Sequence, residues 1–223
     1  MTHPESYDLL EGVLAEARKR SLAGNLPAAT QIEHSKEFFR VLSLEAVDGP
    51  VLELGSGGGL PGLVIALEDQ DLRLVLLDSA RRSTDFLRWA VDELQLSRRV
   101  EVVNARAEHL GRDRQYRGGF AAVLARSFGP PAVTAECAAP LLRVEGRLVV
   151  SEPPAENSHS GTGMVESAPT AGRWPVEGCA KLGLVPERTV RGMFGFAVLR
   201  QLHPCPERYP RRPGIPSKRP LFS

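Results

Sequence analysis

"VLELGSGGGLPG", residues 51–62, places five glycines in eight positions directly after an apolar run. This reads as a buried strand ending in a bare turn, where backbone rather than side chain meets a ligand. A glycine-rich turn at a strand-to-helix junction suits a nucleotide-type cofactor. Two spacings fit the stretch, and they imply different chemistry.

The first is the dinucleotide pattern, satisfied by Gly57-x-Gly59-x-x-Gly62. Its register is wrong. A pyrophosphate site needs the first glycine straight after the strand, so that the helix N-terminus lies under the phosphates. That glycine is Gly55, and counting from it gives Gly55-x-Gly57-x-x-Leu60, without the third glycine. The second spacing is acid-x-Gly-x-Gly-x-Gly: Glu53, Gly55, Gly57, Gly59. This is the first motif of class I S-adenosylmethionine-dependent methyltransferases, whose cofactor carries no phosphate. Bare backbone makes room for it, and Glu53 is expected to act by charge or through water. Asp78 closes the next apolar run, where a carboxylate can accept both ribose hydroxyls. An NAD site uses an acid at the same place, so Asp78 indicates an adenosine ribose without choosing the cofactor.

Outward from this loop, "VLEL" (51–54), "LRLVLLD" (72–78), "VEVVN" (100–104), "AAVLAR" (121–126) and "GRLVVSE" (146–152) read as strands. Helical patterns lie between them: 60–68 with Pro61 near its start, a stretch capped by Ser79 with Phe86, Leu87, Ala90, Val91 and Leu94 on one face, and 131–142. "LVPERTVRG" and "FAVLRQL" supply the last two strands. Strand-then-helix alternation predicts an α/β, Rossmann-like fold: a mostly parallel, seven-stranded sheet with helices on both faces and ligands at the carboxyl ends of the strands. Residues 1–48 read as a short helical lead-in, with Leu9, Leu10, Val13, Leu14 and Ala17 on one helix and Phe38, Phe39, Val41, Leu42 and Leu44 on another. The binding domain is expected over 49–203. Within it, 153–175 is rich in Pro, Ser, Gly and Thr and reads as a mobile loop. The tail, 204–223, carries six prolines and is expected to hold no regular structure.

A formal charge of +1 excludes polyanion binding by bulk charge, so nucleic-acid affinity must come from a local patch. Cys137, Cys179 and Cys205 are far apart, with no His cluster nearby; they read as idle thiols of a reducing cytoplasm, and no metal site is expected. The N-terminal stretch has acids where a signal peptide needs basic and apolar residues, and no long apolar run suggests a membrane span.

With these residues in place, the sequence resembles the RsmG (GidB) family, bacterial methyltransferases that modify N7 of a guanine in small-subunit ribosomal RNA. "ELGSGGGLPGLVIAL", including Leu60-Pro61-Gly62, resembles its first motif and "LLDSARRSTDFL" its second. "ARAEHL" (105–110) is similar to its adenine-side loop, "LARSFGPP" (124–131) to its fourth-strand segment, and "RYPRRPGIPSKRPL" (208–221) to its closing sequence. The resemblance implies that Gly55 and Leu60 line the cofactor, that Asp78 holds the ribose, that Ala107 and Glu108 lie at the adenine, and that Arg126 sits beside the cofactor near the target base. Glu53, Ser56, Gly57, Gly59 and Ser79 complete the expected cofactor set, and Arg126 is the candidate catalytic residue. Arg126 also reads as a structural partner of Glu53 or Asp78.

Departures fall on the acceptor side. Of the family's His-Ile-x-Asp-Ser helix only His34 and Ser35 remain; Glu152-Pro153 stands where members carry Lys-Gly; Arg82-Ser83 replaces a basic pair, and Ala121 an acid. A carboxylate for a cation puts repulsion where a phosphate would lie. Two readings therefore stand. One is a monomeric cytoplasmic enzyme that methylates ribosomal RNA or the small subunit, with Arg211, Arg212, Lys218 and Arg219 on phosphates and Tyr209 and Phe222 stacking on bases. The other is a relative that kept the cofactor but changed or lost its acceptor, with the tail wrapped on the domain or disordered.

Overall fold

The computed structural model describes residues 4–24, 26–45, 47–153, 164–168 and 172–223. In chain order the elements are α1 (Pro4–Lys19), α2 (Ala28–Leu44), β1 (Val51–Leu54), α3 (Gly62–Glu68), β2 (Leu74–Asp78), α4 (Arg81–Glu93), β3 (Val100–Asn104), α5 (Ala107–Leu110), β4 (Phe120–Ala125), α6 (Pro131–Ala138), β5 (Leu142–Glu152), β6 (Val165–Ser167), α7 (Val176–Ala180), β7 (Leu184–Arg191), β8 (Gly195–Gln201) and α8 (Ile215–Lys218). They form one sheet of order β3-β2-β1-β4-β5-β8-β7-β6. The pairs β1–β2, β1–β4, β2–β3 and β4–β5 are parallel. The β5–β8, β7–β8 and β6–β7 pairs are antiparallel. Among the described residues the sheet thus has eight strands where the sequence led to seven. The additional one, β6, is a short exposed edge strand inside the stretch read as loop, which carries few apolar residues to announce it. The rest of that loop, 154–163 and 169–171, lies outside the described residues.

Side chains alternate across the central strands, which explains their continuous apolar runs. Val51, Leu74, Leu76, Ala122 and Leu124 enter one core with α1 to α4. Leu52, Leu54, Val75, Leu77, Val123 and Ala125 enter the other, with α5, α6 and α7. The lead-in is part of the first core: Leu10, Val13, Phe38 and Val41 are buried there, whereas Leu9 is exposed. The Glu45 carboxylate, just past α2, accepts from Arg147 on β5 at 2.8 Å and pairs with Arg188 on β7, stitching the lead-in to the sheet.

The tail is docked, not loose. Tyr209 is buried and Phe222 packs against the second core, so neither is offered to a base. Arg117 donates to the carbonyls of Cys205 and Tyr209, each at 2.8 Å. Residues 215–218 form a helical turn, so the tail does contain regular structure.

Candidate active site

The carboxyl ends of β1, β2, β4 and β5 surround three adjoining clefts. The β1 turn is built on backbone conformations that only glycine takes cheaply. Gly55 has φ +68°, and a Cβ there would stand 2.9 Å from the Phe128 ring. Gly57 has φ +49°, and its N–H donates to Asp78 Oδ2 at 2.8 Å. The other oxygen, Oδ1, accepts from Ala80 N at 2.8 Å. Ser79 does not cap helix α4, whose N-cap position is Ala80 and which has no side-chain cap. Each carboxylate oxygen keeps further accepting capacity toward the cleft.

The first cleft, about 260 Å³, is lined by Gly55, Asp78, Ser79, Ala107, Glu108 and Phe128, among others. Glu108 is buried; burial alone would push its pKa up, but Arg106 and the Gly214 N–H outweigh that and hold it below the usual range. The Gly214 bond, at 2.9 Å, comes from the tail. The second cleft, about 270 Å³, is lined by Ser56, Gly57, Leu60 and Arg126 together with Leu22, Ala23, Gly24 and Gln31. Sequence reasoning missed these lead-in residues. Their signal is the packing of Gly58, where a Cβ would meet the Leu22 carbonyl at 2.8 Å.

Two expected cofactor residues line neither cleft. Gly59, at φ +89°, turns the chain, and a Cβ there would strike Leu63 at 2.4 Å; its role is packing. Glu53 is 1% exposed and points under the loop, where a Cβ on Gly62 would approach its Oε2 to 2.5 Å. That Oε2 is without a hydrogen-bond partner among the described residues. Burial pushes the Glu53 carboxyl up to about 8, against the pull of Arg126.

The third cleft, about 390 Å³, meets the others at Arg126, Ser127 and Phe128. Ser127 holds φ +54°, a conformation rarely taken by a side-chain-bearing residue and often found at functional sites. Arg126 has no hydrogen bond or ion pair within 4.0 Å among the described residues, so it is not a structural salt-bridge partner of Glu53 or Asp78. Its charge is felt by Glu53 and by His34. His34 is stacked on Phe194 with ring centroids 4.3 Å apart, and its Nε2 lies 2.9 Å from the Ser151 hydroxyl. Burial, then Arg126, push the His34 pKa down to about 4, so the ring is neutral.

Glu152 also lines this cavity, and the expected repulsion is cancelled within the chain. Its Oε2 pairs with Arg173 at 2.6 Å, and its Oε1 accepts from the Trp174 indole at 2.9 Å. In the tail, Arg211 donates to buried Glu136 at 2.8 and 2.6 Å, so its guanidinium is already occupied. Arg212, Lys218 and Arg219 are exposed, and no tail cation lines the three clefts.

A mixed sheet, parallel through β3, β2, β1, β4 and β5, with a glycine loop after β1 and an acid at the end of β2, is the architecture of class I methyltransferases. Structures sharing the fold include cofactor-bound Rv0187 from MTB, at TM-score 0.57, 17% identity, 88% of this chain and 90% of that one. The O-methyltransferase from Bacillus cereus in complex with SAH superposes with TM-score 0.56 at 15% identity, over 86% and 90% of the two chains. A family model described as GidB, rRNA small subunit methyltransferase G, matches residues 29–156. Proteins named ribosomal RNA small subunit methyltransferase G are 34% identical in Rubrobacter xylanophilus, over 97% of this chain and 82% of the relative, and 33% identical in Deinococcus radiodurans, over 99% and 86%. The chain belongs to the GidB family.

Its cofactor is S-adenosylmethionine, and the residues fit it. At Gly55, which lines the first cleft, a Cβ would press against the Phe128 ring beside it, and the doubly anchored Asp78 presents a carboxylate to the same cleft. Among the described residues, no cluster suited to a metal ion occurs and no helix is long and apolar enough to cross a membrane.

Proposed function

We propose that this chain methylates N7 of a guanine in small-subunit ribosomal RNA, as a cytoplasmic monomer. In this reading Asp78 and Ser79 take the ribose, the Ala107–Glu108 segment borders the adenine, and Ser56, Gly57 and Leu60 border the methionine portion. When bound, S-adenosylmethionine supplies an electrophilic methyl group on a sulfonium.

The observation that carries the reading is the state of the third cleft. Its candidate bases are already committed: Glu152 to Arg173 and Trp174, His34 to Ser151. Among the described residues of the cleft, an acceptor that must lose a proton to react would find no uncommitted base. Guanine N7 carries a lone pair and no proton, so alignment and exclusion of water suffice. In this reading Arg126, which lines both the second and the third cleft, donates to the neighbouring O6, which fixes the ring and leaves N7 to react. Phe194 and His34 supply a flat wall against which a base packs. Arg212, Lys218 and Arg219 are assigned to phosphates. Glu152 gives no ground for a different acceptor, because its charge is compensated by Arg173.

The test is transfer of labelled methyl from S-adenosylmethionine to small subunits isolated from cells lacking the modification, followed by mapping of the modified base. Label in one guanine of the rRNA, lost steeply with added salt, is the expected outcome. No transfer at saturating cofactor overturns the assignment.

A further inference from the structure

We propose that Leu26 and Met193 form a fixed apolar jaw at the mouth of the acceptor cavity, wedging against the nucleotides that flank the target base. This rests on the reading of the chain as an rRNA methyltransferase. An exposed apolar side chain is ordinary when it stands alone. Here two stand on the same cavity, Leu26 at 48% and Met193 at 71% exposure. They come from unrelated segments, the α1–α2 connection and the β7–β8 turn.

Both are held from beneath by polar groups. The Leu26 carbonyl accepts from Arg18 Nη2 at 2.7 Å and from Gln31 Nε2 at 2.9 Å. The turn that displays Met193 is closed by Gly192 N–H on the Phe194 carbonyl at 2.8 Å, and Phe194 N donates to Glu37 Oε2 at 3.2 Å. The Phe194 ring is fixed in turn by its stack on His34. A loosely held loop would fold such side chains inward; these backbones are pinned with the apolar groups facing water. Arg126 lines the same cavity without an ion-pair partner among the described residues, so the mouth combines apolar edges with a cation. A single nucleic-acid strand offers the complement: apolar base faces on an anionic backbone. Leucine and methionine are among the side chains that enter between bases and unstack them. A target base seated in the cavity leaves its stack, and the jaw closes the gap left behind.

The experiment compares wild type, Met193→Ser, Leu26→Ser and Met193→Leu for methylation of unmodified small subunits and of the naked rRNA, with calorimetry of S-adenosylhomocysteine alongside. We expect roughly tenfold lower kcat/KM for each serine variant on both substrates, the cost of a lost wedge. Met193→Leu is expected within about twofold of wild type, since leucine keeps the apolar volume. Cofactor affinity should not move, because neither side chain lines the cofactor clefts. Serine variants that methylate like wild type overturn the jaw and leave the rRNA assignment standing. A defect seen with intact subunits but not naked rRNA overturns it as well, giving the surface to a ribosomal protein. If wild type transfers nothing to rRNA, the assignment fails first, and the jaw falls with it.

Discussion

The cofactor half and the acceptor half of the site are made of different material. The cofactor half is largely backbone: Gly55 and Gly57 in left-handed conformations, and Asp78 tied by two main-chain N–H groups. The acceptor half is side chains from Leu26, His34, Arg126, Glu152, Trp174 and Phe194, gathered from nearly the whole chain. A site made of backbone conformations admits few residue types at each position. A site made of side-chain pairs can hold an altered charge by pairing it internally, as Arg173 does for Glu152.

The largest way to break this contrast is at Asp78. Asp78→Ala removes the acceptor proposed for the ribose and also frees the Gly57 and Ala80 N–H groups, so loop and ligand are expected to fail together. Two charge-assisted hydrogen bonds to a ligand account for about 4 kcal/mol, or roughly a thousandfold in affinity for S-adenosylhomocysteine by calorimetry. Binding within a few fold of wild type would remove Asp78 from the site. Arg211→Ala tests whether the tail belongs to the structure or to the acceptor. It leaves fully buried Glu136 without its guanidinium and is expected to lower unfolding stability by about 3 kcal/mol in urea titration. A stable variant with weakened rRNA affinity would return Arg211 to the phosphate contacts.

How much of this was legible follows from the same division. The β1 turn and Asp78 are local signals, with glycines and an acid at fixed offsets from apolar runs, and the sequence alone located them. It left the place of Glu53 open, because the spacing does not say which face of a fully buried strand an acid occupies; the side chain lies under the loop and lines neither cofactor cleft. Helix α2 showed its apolar face and His34 stood out as a remnant of the family's helix motif, but its partner was hidden until β5 brought Ser151 to it. Glu152 was legible as a departure and illegible as a pair, since Arg173 lies across a stretch with no periodicity to place it. The tail's arginines were counted as charge; nothing local revealed that buried Glu136 was waiting for one.

Acid and base separate the two halves by the sign of their pH response. Glu53, below the cofactor loop, has its folded pKa raised to about 8 by burial, so the folded state holds a proton that the unfolded chain loses near its ordinary carboxylate value. Its contribution to stability is complete at low pH and disappears as pH climbs toward 8 and beyond, about 4 kcal/mol between pH 5 and 9. Glu53→Gln, which keeps the shape without the charge, should flatten that decline in denaturant titrations across the window.

His34, in the acceptor wall, runs the other way. Burial and the nearby Arg126 lower its folded pKa to about 4, so the unfolded chain binds a proton that the folded state refuses. Its contribution is present above the ordinary histidine value and is lost as pH falls toward 4, about 2 kcal/mol between pH 7 and 5. In wild type the two slopes oppose each other between pH 5 and 7, so the profile there is shallow and hides both. The single variants expose them: relative to wild type, His34→Gln should gain stability as pH drops from 7 to 5, and Glu53→Gln should lose it. Two variants that tilt the profile in the same direction would mean that the carboxyl below the loop, or the imidazole in the wall, is solvated rather than sealed.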